Sequence, residues 1–242
     1  MERKSISRRS WLMAGFVTSA VMTATGCAPM ATGHSGAGEG YAGLVSTLYN
    51  EPAVNHGPRS IEFPVNVAVA QVGQSAPFQG VIDKLSKATD VFHRVSSLSA
   101  EVTGADRGAP ALRDPLPRLQ AMARDQGADY LLIFGATVES HERVNSLSGL
   151  DLTIVGAFVS PSREMEADAR ASAALIDVRS GTVVLTVSGQ ASKTRWATAM
   201  TTYAEGDRAG GLATTEALLN LADQLVRDAQ RRNADEEVAG GR

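Results

Sequence analysis

The sequence predicts an α/β (α+β) domain: a single mixed sheet of about five to six strands, with a βαβαβ unit followed by antiparallel strands and a C-terminal helix. Three observations carry this. Short apolar runs alternate with amphipathic stretches in the first half. A run with strict two-residue alternation, then a Gly-containing turn and a second run, marks an antiparallel pair. The last third holds a long helical stripe.

Phe63-Pro64-Val65-Asn66-Val67-Ala68-Val69-Ala70 reads as the first buried strand. In the next segment Ser75 is placed to cap a helix and Pro77 suits its first turn. Phe78, Val81, Ile82 and Leu85 then recur at i, i+3, i+4 and i+7, which puts them on one helical face. Residues 91–99, VFHRVSSLS, form the second strand. After a loop over 100–113, Asp114-Pro115 opens a helix with Leu116, Leu119, Met122 and Ala123 on one side. Gly127 fits its C-terminal cap, where positive φ is needed. The third strand is ADYLLIFGATVES, 128–140. These short spacings suit crossover units in a partly parallel sheet.

A loop is expected around His141–Gly149, and LDLTIVGAFV, 150–159, is apolar enough for a central strand. In EMEADARASAALIDV, acids and Arg170 alternate with Ala167, Ala169, Ala171 and Ala173, giving one wet face and one small-residue face. Gly181 supplies the turn, and TVVLTVSGQASKTRW returns antiparallel. The final helix is expected over 211–231, with Leu218, Leu219, Ala222, Leu225, Val226 and Ala229 as its stripe. Residues 233–242 read as a frayed tail.

The front of the chain is an address. MERKSISRRS carries four basic residues, and WLMAGFVTSAVMTATG carries no charge, the pattern of an export signal over residues 1–26. That run is shorter than the roughly 20 residues a spanning helix needs. Cys27, the sole cysteine, follows Ala24-Thr25-Gly26. This stretch resembles a bacterial lipobox, with Ala24 where Leu is commoner. The resemblance implies that the Cys27 thiol is lipidated and that Cys27 becomes the first mature residue, anchored in membrane lipid. Ser7-Arg8-Arg9-Ser10-Trp11-Leu12 resembles the twin-arginine export motif, in which Arg8 and Arg9 are the receptor-read pair. The alternative is a basic start read by the general secretion route. Ala28 is not the Asp that retains lipoproteins at the inner membrane, so the expected location is the periplasmic face of the outer membrane of a Gram-negative bacterium.

Residues 27–60 then read as a lipidated Cys, a Gly/Ala/Ser-rich tether (28–43) and a short helix at LVSTLYN, 44–50, ahead of the domain over 61–232. Gly38-Glu39-Gly40-Tyr41-Ala42-Gly43 fits a dinucleotide fingerprint, but a polar linker stands where a strand is required, so no cofactor is assigned. Removing residues 1–26 leaves 216 residues with 19 basic and 25 acidic side chains, a net charge near −6. That balance, with 5% aromatic residues, argues against a nucleic-acid partner.

The helix-to-strand join Ala123-x-x-x-Gly127-Ala128-Asp129, followed by an apolar strand ending at Gly135, resembles that of periplasmic α/β domains. These include the curli-secretion lipoprotein, the TolB amino-terminal domain and lipoprotein activators of cell-wall synthases. In this join Gly stops the helix, Asp faces water and the strand is buried. Further pieces resemble the bacterial rhombotarget lipoproteins in the expected order: LVSTLYN, VNVAVAQV, GADYLLIFG, LTIVGAFVSPS, ALIDVRSGTVVLTVSG and GLATTEALLNLADQL. Some members carry a terminal sorting signal of Gly-Gly, a hydrophobic segment and basic residues. Gly240-Gly241-Arg242 lacks the hydrophobic segment, so that processing is not expected. The resemblance implies a fold and an address, not a reaction.

Motifs for catalysis are sparse. His34 and His56 fall in tether or loop, and His141-Glu142 lacks the second His of a zinc motif. His93 or His141 would need a distant serine and acid to form a hydrolase site. Glu164, Glu166 and Asp168 share a strand face, but no acidic loop completes a calcium shell, so they read as a solvated, edge-protecting face. Trp196 reads as a core anchor in preference to part of an exposed patch. The functional expectation is a non-catalytic binding or assembly module, partnered by an envelope protein or a second copy. The alternatives are an oligomeric export-channel-like lipoprotein in which Leu150–Val159 inserts as a hairpin, and a hydrolase with a scattered site.

Overall fold

The structure, a computed structural model, describes residues 61–74, 76–99 and 116–240. The export signal, Cys27, Arg8, Arg9, the tether, the 44–50 helix and the Ser75 cap lie outside these residues.

In chain order the elements are β1 (Val65–Gln71), α1 (Gln79–Lys87), β2 (Phe92–Ser97), α2 (Leu116–Asp125) and β3 (Tyr130–Val144). A 3-10 segment (Ser146–Leu152) and α3 (Ile154–Val159) follow, then β4 (Arg163–Asp177), β5 (Val183–Ala197) and α4 (Thr202–Gly240). The five strands form one sheet in the order β2-β1-β3-β4-β5. β1 pairs in parallel with β2 and β3, while β3, β4 and β5 are antiparallel. The expected mixed sheet is therefore present, with its βαβαβ half and its antiparallel half fused along β3.

Two cores follow from the pleat. On one face Val67, Val69, Leu132 and Phe134 pack with α1 and α4, whose Leu218, Leu221, Leu225 and Ala229 are buried. Each fully buried Leu contributes about 1.5–3 kcal/mol. On the other face Ala68, Ala70, Leu131, Ile133 and Ile176 pack under Leu119 and Ala123 of α2. α2 ends as expected, with Gly127 at φ 71° and its N–H donating to the Arg124 carbonyl at 2.9 Å. Asp129 does more than face water. Its Oδ2 accepts from the Asn66 backbone N–H at 3.1 Å and from Asn66 Nδ2 at 3.0 Å, pinning the start of β3 to β1.

The alternation in β4 is resolved by α4. Ala167, Ala169, Ala171 and Ala173 are buried against Ala209, Ala213 and Ala217 of the helix. Alanine has weak strand propensity, so packing rather than propensity sets these residues in a sheet. Small side chains on both surfaces bring the helix close. Gly189 on β5 takes this furthest, since a methyl there would lie 2.4 Å from the Ala217 carbonyl oxygen. The β4–β5 turn uses Gly181 at φ 74°.

Four expectations are corrected. β3 continues as strand through His141–Val144, where a loop was expected. Leu150–Val159 is not a central strand; it lies in the 3-10 segment and α3, with no buried residue in either. β4 is an interior strand, so its acidic face protects no edge. α4 begins at Thr202 rather than 211 and runs to Gly240, past the point where a frayed tail was expected. Its added first turns are fastened by tertiary contacts, since Ala209 is buried and Glu205 is paired with Arg195 and Arg208 at 2.5 Å each.

Candidate interaction surface at the hairpin tip

β3, β4 and β5 run together past the region that α2 covers, and the β3–β4 connection caps their far end. This connection, residues 145–162, is built as a defined unit. Asn145 closes its base: its N–H donates to the Ser162 carbonyl at 2.9 Å and its Nδ2 donates to the Pro161 carbonyl at 2.9 Å. Asn145 Oδ1 also caps the 3-10 segment by accepting from the Leu147 N–H at 2.8 Å. Thr153 Oγ1 caps α3 by accepting from the Gly156 N–H at 2.9 Å. Inside the base, Ser162 is fully buried and its hydroxyl donates to Asp151 Oδ2 at 2.8 Å. Arg163 stands 3.8 Å from the same carboxylate and also pairs with Glu142.

The outer surface of this unit is apolar. Leu152 is 92% exposed and Ile154 83%, with Val155, Phe158 and Val159 exposed beside them. Asp151 is the one ionisable side chain between 145 and 162, and it is turned inward to Ser162 and Arg163. Monomeric soluble proteins seldom leave so contiguous an apolar surface uncovered unless it binds something.

Trp196 corrects the core-anchor expectation: it is 59% exposed. It lies at the tip end of β5, opposite Glu164 of β4, on the face that α4 does not cover. With Asn145, Leu147 and Pro161 it lines a shallow opening of about 500 Å³. Met200 and Tyr203 are also exposed, in the β5–α4 turn and first helical turn at this same end. Periodicity hid Trp196 because its alternation is that of the wet face, with Ser192 and Thr194.

The other candidate residues do not converge. His93 is exposed on β2. His141 is exposed on β3, paired in register with Glu166 of β4 on an open sheet face. Glu166 is engaged by Arg143 at 2.9 Å. Glu164 and Asp168 lie on the same solvated face, opposite Arg143 and Glu139 of β3. Among the described residues no group of three or more His, Cys, Asp or Glu is placed to hold a metal ion. No described helix is long and apolar enough to cross a membrane. Cys27, Arg8 and Arg9 lie outside the described residues, so the geometry here says nothing of them.

The one ionisable group clearly displaced in this region is Glu205. Its carboxyl is held below the ordinary value of 4.5 by the hydrogen bond from Arg195, against partial burial, with Arg208 adding to the effect.

No protein-family model matches the chain, and no curated protein sequence matches it. Solved structures similar to it include bacterial lipoproteins. The PelC dodecamer from Paraburkholderia phytofirmans is 17% identical, with 69% of this chain and 91% of that one covered and a TM-score of 0.33. Lipoprotein GNA1162 from Neisseria meningitidis is 16% identical, with 54% and 84% covered and a TM-score of 0.29. A minor lipoprotein from Acinetobacter baumannii is 8% identical, with 70% and 95% covered and a TM-score of 0.30.

Proposed function

We propose that this protein is a lipid-anchored, non-catalytic lipoprotein of the Gram-negative envelope, held at the periplasmic face of the outer membrane as a binding or assembly module. The observation that carries this is the tip: a hydrogen-bonded unit spent on presenting apolar side chains outward. An enzyme of this size gathers polar groups into a cleft. Here the described histidines, His93 and His141, stand apart on exposed strand positions. The lipobox-like stretch supplies the anchor through Cys27, after removal of residues 1–26 and export either by the Arg8-Arg9 signal or by the general secretion route. A rhombotarget-type ancestry accords with the order of the resembling segments.

Two experiments test this. Radiolabelled palmitate fed to cells enters the wild-type chain and is absent from Cys27→Ser; no label in the wild type sinks the anchor. Crosslinking in intact envelopes then returns a reproducible protein partner or a second copy, and failure to find either removes the assembly role.

An export-channel-like oligomer is the second reading, favoured by the length of the β3–β4 hairpin and its apolar end. The tip is helical, so it would contribute no membrane strand of the kind the sequence suggested. Native mass of the delipidated protein separates the two, with a large ring supporting export and a monomer or dimer excluding it.

A further inference from the structure

We infer that the apolar tip, residues 146–159, docks into the acyl-chain border of a lipid bilayer as a second, uncharged membrane contact. This rests on the lipid-anchor reading above, because it assumes that Cys27 keeps the domain beside a membrane.

Three features choose lipid as the occupant. The first is charge. Within 146–159 the sole ionisable side chain, Asp151, is folded back onto Ser162 and Arg163, so the tip itself presents no charge to pair with a partner. The second is backbone satisfaction. Asn145 and Thr153 cap the two helical turns, and the Ser160 N–H donates to the Gly156 carbonyl at 2.8 Å. These bonds lower the cost of taking the segment out of water, since each backbone polar group left open in hydrocarbon costs several kcal/mol. The third is the border. Trp196 and Tyr203, exposed at this end of the domain, are the amphipathic aromatics that favour the headgroup level.

A second copy fits less well. The open sheet face it would offer carries Glu139, His141, Glu164, Glu166, Asp168 and Arg170, a poor match for an uncharged apolar tip. The tip's largest side chains also stand exposed, Leu152 and Ile154 most of all. The chain between anchor and domain is long enough for both contacts. Residues 27–60 number 34, and fully extended they reach at most about 112–122 Å.

The docking is interfacial and does not span. α3 has six residues, about 9 Å of helix. That is far short of the roughly 30 Å hydrocarbon core, so the tip sinks an apolar face into the surface layer only. With no cationic side chain on the tip, the contact depends on apolar burial and is indifferent to lipid charge and salt.

The test uses the full chain, acylated in cells, with Ile154→Cys carrying a nitroxide, reconstituted on phosphatidylcholine vesicles. Ile154 is exposed, so the change leaves the core intact, and a thermal melt matching wild type verifies this. The expected result is a nitroxide more accessible to oxygen than to a water-soluble nickel complex. A label at Lys87→Cys, on the far helix α1, shows the reverse. Replacing half the phosphatidylcholine with phosphatidylglycerol, or raising salt, leaves the difference unchanged. Leu152→Asp with Phe158→Asp returns the Ile154 label to water.

A nickel-accessible Ile154 label on vesicles overturns the proposal. So does dipolar broadening between Ile154 labels without lipid, which means that a second copy covers the tip. The anchor reading fails separately. Mass measurement then finds two nitroxides per Ile154→Cys chain, one of them on an unacylated Cys27.

Discussion

Gly189 of β5 lies directly beneath Ala217 of α4, so close that a Cβ on Gly189 would meet the Ala217 carbonyl oxygen at 2.4 Å and the Leu221 backbone nitrogen at 2.5 Å. The helix backbone rests on the strand there. Gly189→Ala must push α4 off the sheet, and overpacking of this kind costs about 1–3 kcal/mol. Urea denaturation is expected to show that loss for Gly189→Ala. Gln190→Ala, whose side chain points to the open face, should change stability by less than about 0.5 kcal/mol.

Asp129 ties the start of β3 to β1 through Asn66. Asp129→Ala removes two charge-assisted hydrogen bonds at a half-buried site and is expected to cost about 1.5–3 kcal/mol. Asn66→Ala, which keeps the backbone donor, should cost less. The order of the two denaturation midpoints checks this.

Glu205 gives the domain a pH-dependent contribution. Its carboxyl titrates below the ordinary value of 4.5 in the folded protein because Arg195 and Arg208 favour the charged form. A lowered folded-state value means stability that is present above the unfolded value and lost as pH falls through the folded one. Glu205→Gln should therefore be less stable than wild type at neutral pH, and the gap should close as pH drops below about 4.5. Thermal melts across that range measure it.

Asp151 holds the tip together from inside. Asp151→Ala frees the Ser162 hydroxyl and leaves Arg163 with one carboxylate fewer. Amide exchange across 146–159 should rise by about tenfold, the equivalent of one lost hydrogen bond of about 1.4 kcal/mol. The global denaturation midpoint should hardly move, since none of these residues belongs to either core.

The tip's apolar side chains are exposed and belong to neither core. Ile154→Asp and Phe158→Asp each replace an exposed residue and should leave stability within about 0.5 kcal/mol of wild type. Retention on a hydrophobic-interaction column, by contrast, should fall for both.

The parts of the fold legible in the sequence are those where one face is buried and one is wet. α1, α2 and the alternating β4 show their period because their two sides meet different surroundings; β1 is the exception, buried on both faces and visible instead as a continuous apolar run. Gly127 and Gly181 were legible because a backbone with positive φ leaves few residues to choose from. The tip was not. Hydropathy reports that Leu150–Val159 avoids water, but not whether protein or something else covers it, so the segment read as a central strand. His141–Val144 failed for a related reason. Both faces of that strand are exposed, so no alternation marks it. The start of α4 was hidden by Gly206, Gly210 and Gly211, whose poor helix propensity is outweighed by packing of Ala209 and the ion pairs of Glu205.

The length of β3 has a consequence for how the domain would stand. The described chain enters at Ile61 beside the start of the sheet, and Tyr130 lies there too, in register with Val67. Val144 and the tip are 14 residues further on, about 47 Å away along the strand. A head tied only by a slack leash would swivel freely. One also held through the proposed tip contact would keep a single posture, with α1 and the start of the sheet farthest from the bilayer.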